Sequence, residues 1–196
     1  DVQLQLPTTN QLFKQRVCVS LEAIGLKNIF INPNSYDYTK QEEQLNELLE
    51  MKKKGDEYKR VNELKNSSDF IPELSFVAEE DGCLVAYNIL TKFNRYSINK
   101  NIKALLLGPI CVKLEYRNKG IGKKLINKSL ETAKNLGYEV VFLFGDENYY
   151  KKLGFKQTFS YNIKSLNKNI RQEEAMLKEL VPNVLKDVKG TVSFEF

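Results

Sequence analysis

The sequence predicts a single α/β domain, a mixed sheet with helices interspersed, and three observations carry that reading. The chain has 196 residues, 42% of them hydrophobic and 28% charged, enough to bury one core and too few for two. Apolar residues recur at helical spacing up to about residue 66 and at a spacing of two from residue 71. A nearly all-apolar run, Ala104 to Val112, leads through glycines and lysines into a helical pattern and then a second apolar run. Such a strand is buried on both faces.

Taken in order, Asp1 to Pro7 alternates like a first strand, without the basic and apolar blocks of a signal peptide. Thr9 or Asn10 caps a helix whose apolar side is Leu12, Phe13, Val17, Leu21 and Ile24, with Gly25 as its stop. Residues 26–38 contain Asn32-Pro33-Asn34 and read as a loop. Thr39 and Glu42 have capping-box spacing, and Leu45, Leu48 and Leu49 give a second helix ending at Gly55. A shorter helical stretch follows with Tyr58, Val61 and Leu64. Strands at 74–79 and 83–91 are joined through Glu80-Asp81-Gly82, a hairpin signal. After the strand at 104–112 come a helix at about 120–136, a strand at 138–144, a short helix at 147–153 and a strand near 156–163. Strands near 174–180 and 190–196 complete the chain. No repeat or linker divides it.

Composition removes several function classes. The longest apolar run is nine residues, where a membrane span needs about twenty. Three cysteines and no histidine argue against a disulfide framework, against a Cys/His zinc site and against histidine-dependent nucleophilic catalysis. The reading is a reduced, soluble, cytoplasmic protein. The formal net charge of +5 is concentrated: residues 113–134 hold seven basic and two acidic side chains, and the rest of the chain balances. A solvated helix face explains most such runs. Nucleic-acid binding would need exposed aromatics interleaved with the charges, and only Tyr116 qualifies.

Chemistry concentrates in Leu107 to Gly122, where a buried strand ends, a turn follows and a helix begins. A helix start leaves about four N–H groups unpaired and carries about half a positive charge. Gly120 and Gly122 let an anion approach the backbone, and Arg117 and Lys119 add full charges, so the combination suits a pyrophosphate. The P-loop is excluded because Lys123-Lys124 follows Gly122 with no Ser or Thr. The dinucleotide fingerprint is excluded because Leu125 stands where a third glycine belongs. Tight helix–strand packing is the bland alternative for the two glycines.

Arg117-Asn118-Lys119-Gly120-Ile121-Gly122 resembles the R/Q-x-x-G-x-G/A signature of the GCN5-related N-acetyltransferases, the GNAT family. Asn148 to Phe155 resembles that family's second landmark, a short helix ending Y-x-x-x-G-F. Residues 70–82 and 107–112 are similar to a bacterial subgroup of N-acetyltransferases. The resemblance covers about residues 70–160. It implies a mostly antiparallel central sheet splayed around the strand at 104–112, with 1–70 on the acceptor side, 71–160 as the acetyl-CoA-binding core and 161–196 as C-terminal strands. It further implies that the backbone of Ile110, Cys111 and Val112 pairs with the pantetheine arm of CoA. Arg117, Asn118, Lys119, Gly120, Ile121, Gly122 and Lys123 would surround its pyrophosphate. Pro109 independently marks an interrupted ladder, which an ordinary bulge also explains.

By the same resemblance Tyr150 lies near the CoA sulfur, where it delivers a proton or a hydrogen bond to the departing thiolate or else packs as a core aromatic, and Asn148 contacts the cofactor or else serves the helix start. Tyr149 reads as packing, and Cys111 as a small buried hydrophobe with no base to activate it. The strand at 104–112 carries no carboxylate, so no general base is assigned. The implied activity is acetyl-CoA-dependent N-acetylation of a primary amine in a ternary complex, without a metal, a membrane or a nucleic acid. A non-catalytic acyl-CoA-binding module is the alternative. The acceptor, a small molecule or a protein amine, is expected between residues 10–66 and the loops at 92–103, and a homodimer stays open. Because positive charge concentrates at the phosphate site, the sequence points to cofactor capture rather than to an acidic acceptor.

Overall fold

The structure, a computed structural model, describes residues 29–33, 48, 56–80 and 83–194. The strand expected at 1–7, the helix ending at Gly25, most of the helix expected between Thr39 and Gly55, and the turn residues Asp81 and Gly82 lie outside them. Leu48, within that second helix, is helical and buried.

Among the described residues, seven strands form the main sheet: β1 (Ile29–Pro33), β2 (Phe70–Glu80), β3 (Cys83–Phe93), β5 (Ala104–Val112), β6 (Val140–Phe144), β9 (Ala175–Glu179) and β7 (Lys156–Gln157), in that spatial order. Neighbours are antiparallel except β5 and β6, which are parallel and joined by α2 (Ile121–Asn135). Helix α1 (Asp56–Lys65) precedes β2, and α3 (Glu147–Lys151) follows β6. β4 (Tyr96–Ile98), β8 (Ile163–Ser165) and β10 (Gly190–Val192) make a second, three-stranded sheet. No described helix is long and apolar enough to cross a membrane.

Two sequence expectations are corrected. Residues 29–33 are a strand, not a loop: Ile29, Phe30 and Ile31 outweigh the turn signal, and an edge strand tolerates Pro33 at its end. The strand expected near 156–163 is only β7, a 3-10 turn (Thr158–Tyr161) and then β8, because Asn162 turns left-handed at φ 56° and hands the chain to the second sheet.

Helix α2 buries Ile121, Leu125, Ile126, Ser129, Leu130 and Ala133, one face at helical spacing, against β2, β3, β5 and β6. The opposite face of the sheet packs Val61 and Leu64 of α1 against Tyr87, Ile89 and Cys111. One polar link crosses the α2 face: Asn88 Nδ2 of β3 donates to Ser129 Oγ at 3.0 Å, and Ser129 Oγ donates to Ile126 O at 2.8 Å. Both residues are fully buried. Ser129→Ala leaves the buried amide without its acceptor and is expected to cost about 1–3 kcal/mol, read as a lowered urea midpoint.

Candidate functional site

The site is made by two strands that part. β6 pairs with β5 only at Ala104, Leu105 and Leu106, and ends at Phe144. β5 runs on to Val112, still held on its other edge by β3. Its register with β3 shifts between Asn88 and Leu90, opposite Gly108 and Pro109. The interruption that Pro109 marks is thus both a bulge toward β3 and a loss of pairing toward β6. Lys113 N–H donates to Val85 O of β3 at 2.9 Å, so the carbonyl of the same trans peptide, Val112 O, points away from β3. Arg117 Nε donates to it at 3.1 Å.

Between β5 and α2 the chain makes a 3-10 turn (Leu114–Tyr116) and an exposed loop, Arg117 to Gly120. Asn118 is left-handed at φ 60°, and so is Gly120, the N-cap residue, at φ 77°. The helical ladder opens with Lys124 N–H donating to Gly120 O at 3.0 Å. The N–H groups of Ile121, Gly122 and Lys123 therefore precede it, at the positive end of the helix dipole. Gly122 faces the parting: a Cβ there would lie 3.5 Å from Val112 Cγ2, 3.7 Å from Ile110 Cδ1 and 3.1 Å from Tyr149 Oη. Gly122 is thus closely packed by Ile110, Val112 and Tyr149 at the start of the helix. Lys119 Nζ lies 5.0 Å from the Tyr116 ring centre, and Tyr116 Oη donates to Glu80 Oε2 at 2.5 Å. That bond, above burial and charge, pushes the Tyr116 hydroxyl up to about 12. Tyr116 is thereby tied to β2.

Asp146 caps α3, accepting from Asn148 N at 2.9 Å, so the capping role falls to Asp146 and the Asn148 side chain is exposed. Tyr149 and Tyr150 differ in exposure. Tyr149 is 39% exposed, with its hydroxyl beside Gly122. Tyr150 is the one that packs on the core, edge-to-face with Tyr149 at 5.0 Å and with Phe155 at 5.7 Å. A five-residue helix turns consecutive side chains about 100° apart, so only one of the pair can face inward. Burial first, then Tyr149 and Asp146, drives the Tyr150 hydroxyl well above its ordinary value. That hydroxyl stays protonated at neutral pH, and no described residue hydrogen-bonds it.

On β5 the alternation is clear. Ile110 and Val112 belong to the α2 face, and Cys111 lies buried on the opposite face among Tyr87, Ile89 and Val61. Cys111 thus offers only its backbone to the parting. Also across the sheet from α2, a cleft of about 430 Å³ opens between α1 and the end of β3, with Leu64, Phe93 and Leu106 among its lining. Among the described residues, no cluster of Cys, Asp and Glu is arranged to hold a metal ion.

The model of the acetyltransferase (GNAT) family matches residues 40–155. The chain belongs to that family. A curated relative, the uncharacterized N-acetyltransferase YjhQ of Escherichia coli, is 29% identical over 85 residues, which are 43% of this chain and 47% of that protein. The match thus spans about half of that relative's length. Among solved structures, the GNAT N-acetyltransferase YhbS of Escherichia coli, crystallised with CoA, superposes with a TM-score of 0.74 at 19% identity, over 86% of this chain and 90% of that one. A GNAT acetyltransferase of Brucella melitensis, in complex with acetyl-CoA, gives 0.60 at 23% identity, over 79% of this chain and 90% of that one. At these identities the superpositions establish the fold.

In this GNAT domain Ile110 and Val112 of β5 pack beside Gly122, Arg117 bonds back to Val112 O, and the loop through Gly120 leads into Ile121, Gly122 and Lys123 in the first turn of α2. Lys119 leans on Tyr116, at the outer side of the loop. The sequence reading missed the Tyr149 hydroxyl, for which only the helical offset from Tyr150 was a signal. It carried no local signal for the cleft, whose lining comes from α1, β3 and β5.

Proposed function

We propose that the chain is an acetyl-CoA-dependent N-acetyltransferase acting on a primary amine, by direct attack within a ternary complex. The observation that supports this best is the parting of β5 from β6 directly beside the open amides of α2. The residues present suit CoA. Three amides, the α2 dipole, Arg117 and Lys123 are suited to an anionic diphosphate. The β5 edge from residue 107 to 112 offers backbone groups to the pantetheine amides. When bound, acetyl-CoA supplies a thioester whose carbonyl accepts the amine and whose thiol departs.

The protein's part is to bind, orient and hold a proton. Arg117 spends one of its five N–H donors on Val112 O, which stiffens the loop and leaves the rest for phosphate oxygens. Tyr150 keeps its Oη proton because burial disfavours the phenolate. It serves as a hydrogen-bond donor to a developing thiolate, since full transfer from so weak an acid to a thiolate of pKa about 8.5 is uphill. An amine of pKa about 10.4 must also lose a proton, at about 4.6 kcal/mol at pH 7. β5 has no carboxylate to accept it, so the reading sends it to solvent.

The decisive assay is a panel of amines incubated with acetyl-CoA, read as thiol release. Amine-dependent release supports transfer, and binding of CoA with no release for any amine supports a non-catalytic module. Arg117→Glu is expected to weaken CoA binding more than about tenfold by calorimetry, since an attractive contact becomes repulsive. An unchanged dissociation constant removes Arg117 from the site.

A further inference from the structure

We propose that Lys178 of β9 is a positioning residue for Tyr150: it clamps the turn that ends α3 and so fixes where the Tyr150 hydroxyl points. The proposal rests on the reading of Tyr150 as donor to a departing thiolate, and it names what keeps that donor in place. A misplacement of about 1 Å at a reacting group costs on the order of a hundredfold in rate. Helix α3 has five residues, too few to be stable by itself, so its geometry is set by its surroundings.

The end of α3 is closed by backbone bonds. Leu153 N–H and Phe155 N–H both donate to Tyr150 O, at 3.0 and 3.2 Å, and Gly154 N–H donates to Lys151 O at 3.0 Å. Gly154 is left-handed at φ 83°, the usual conformation just past a helix. The carbonyl of Leu153 belongs to the same turn, and Lys178 Nζ donates to it at 2.6 Å. A cation suits the end of a helix, where carbonyls lack partners along the helix itself.

Strand register delivers the lysine. Lys156 and Gln157 of β7 stand opposite Leu177 and Met176, so the next pair outward sets Lys178 beside Phe155. Met176 packs on the α2 face and Leu177 on the opposite one, so alternation turns Lys178 to the α2 face, with Leu153, Phe155 and Tyr150. There Nζ lies 5.8 Å from the Phe155 ring centre, and Phe155 meets Tyr150 edge-to-face at 5.7 Å. One ammonium thus reaches Tyr150 by two routes, through the backbone of the turn and through the Phe155 ring. Gly154 serves both its own φ and this approach, since a Cβ there would lie 3.3 Å from Nζ. Burial draws the Lys178 ammonium below its ordinary value, and the carbonyl and the ring face offset that desolvation.

Lys178→Met keeps an apolar stem and removes the donor, whereas Lys178→Arg restores a cationic donor. Both are compared with the parent by amide hydrogen exchange and by single-turnover thiol release from acetyl-CoA, alongside Tyr150→Phe and the double variant. For Lys178→Met the expected exchange is about tenfold faster at Gly154 and Phe155 and unchanged at Leu130 of α2. Its kcat is expected to fall about tenfold at an unchanged dissociation constant for CoA, and Lys178→Arg to recover most of both losses. In the Tyr150→Phe background Lys178→Met is expected to lower kcat by less than about twofold, because the lysine acts through the hydroxyl. Equal losses of kcat in the two backgrounds overturn the proposal. Exchange at Gly154 and Phe155 that keeps the parent's rate, or an equal acceleration at Leu130, overturns it as well. So does a parent-like kcat for Lys178→Met where Tyr150→Phe is slow. If Tyr150→Phe is as fast as the parent, the donor reading fails, and faster exchange confined to Gly154 and Phe155 still supports the clamp. If no amine releases thiol, transfer fails and the exchange rates alone decide for or against the clamp.

Discussion

Tyr150→Phe is expected to lower kcat about a hundredfold and to leave the dissociation constant for CoA where it was. The substitution removes one oxygen and keeps the ring that packs edge-to-face on Tyr149 and Phe155. It also keeps the ring in the space that Gly145 leaves, where a Cβ would come within 2.7 Å of Tyr150 Cε2. No described residue loses a hydrogen bond, so folding is spared and the kinetic effect isolates the hydroxyl. A hydrogen bond to a charged group is worth about 1.5–3 kcal/mol, or about ten- to a hundredfold in rate, and the upper end is expected for a donor packed on the core. Single-turnover rates at saturating acetyl-CoA check it. A kcat within twofold of the parent assigns Tyr150 to packing alone.

Gly122→Ala is expected to raise the dissociation constant for CoA about tenfold without lowering the unfolding midpoint. Gly122 lies within α2 at ordinary helical φ, where alanine is a better helix former than glycine by about 1 kcal/mol. The new Cβ demands a shift of a few tenths of an ångström from Tyr149 Oη, and Tyr149 is 39% exposed and able to give it. The fold therefore accommodates the methyl, which hinders close approach of a diphosphate to the amides. One charge-assisted hydrogen bond lost at about 1.5 kcal/mol accounts for the tenfold change. Gly120 is a poorer choice, since a side chain at φ 77° strains the turn whether or not a ligand binds there. Unfolding of Gly122→Ala with unaltered CoA affinity in the folded fraction would return these glycines to helix–strand packing.

Long periodic segments were legible in the sequence because one physical signal dominated each. The apolar run of β5 and the amphipathic face of α2 needed only burial and period, and their limits match closely. The G-x-G helix start was legible because backbone chemistry at a helix N-terminus depends on few residues. Pro109 announced the interrupted ladder, but whether the break faced β3 or β6 depends on which strand lies alongside, a long-range fact. β1 was masked by its own Asn-Pro-Asn, which weighs as a turn unless an edge position excuses the proline. Tyr149 and Tyr150 could not be sorted by period, because a helix of five residues has less than two turns to show one. The cleft beside α1 was the least legible, since its lining from α1, β3 and β5 meets only through the sheet.

Amide resonances followed by two-dimensional NMR during a CoA titration test the central claim most directly. The account predicts that the largest shifts fall on Gly120, Ile121, Gly122 and Lys123, with a second set on Ile110 to Val112. Shifts confined to the α1 cleft, or none at millimolar CoA, would contradict it.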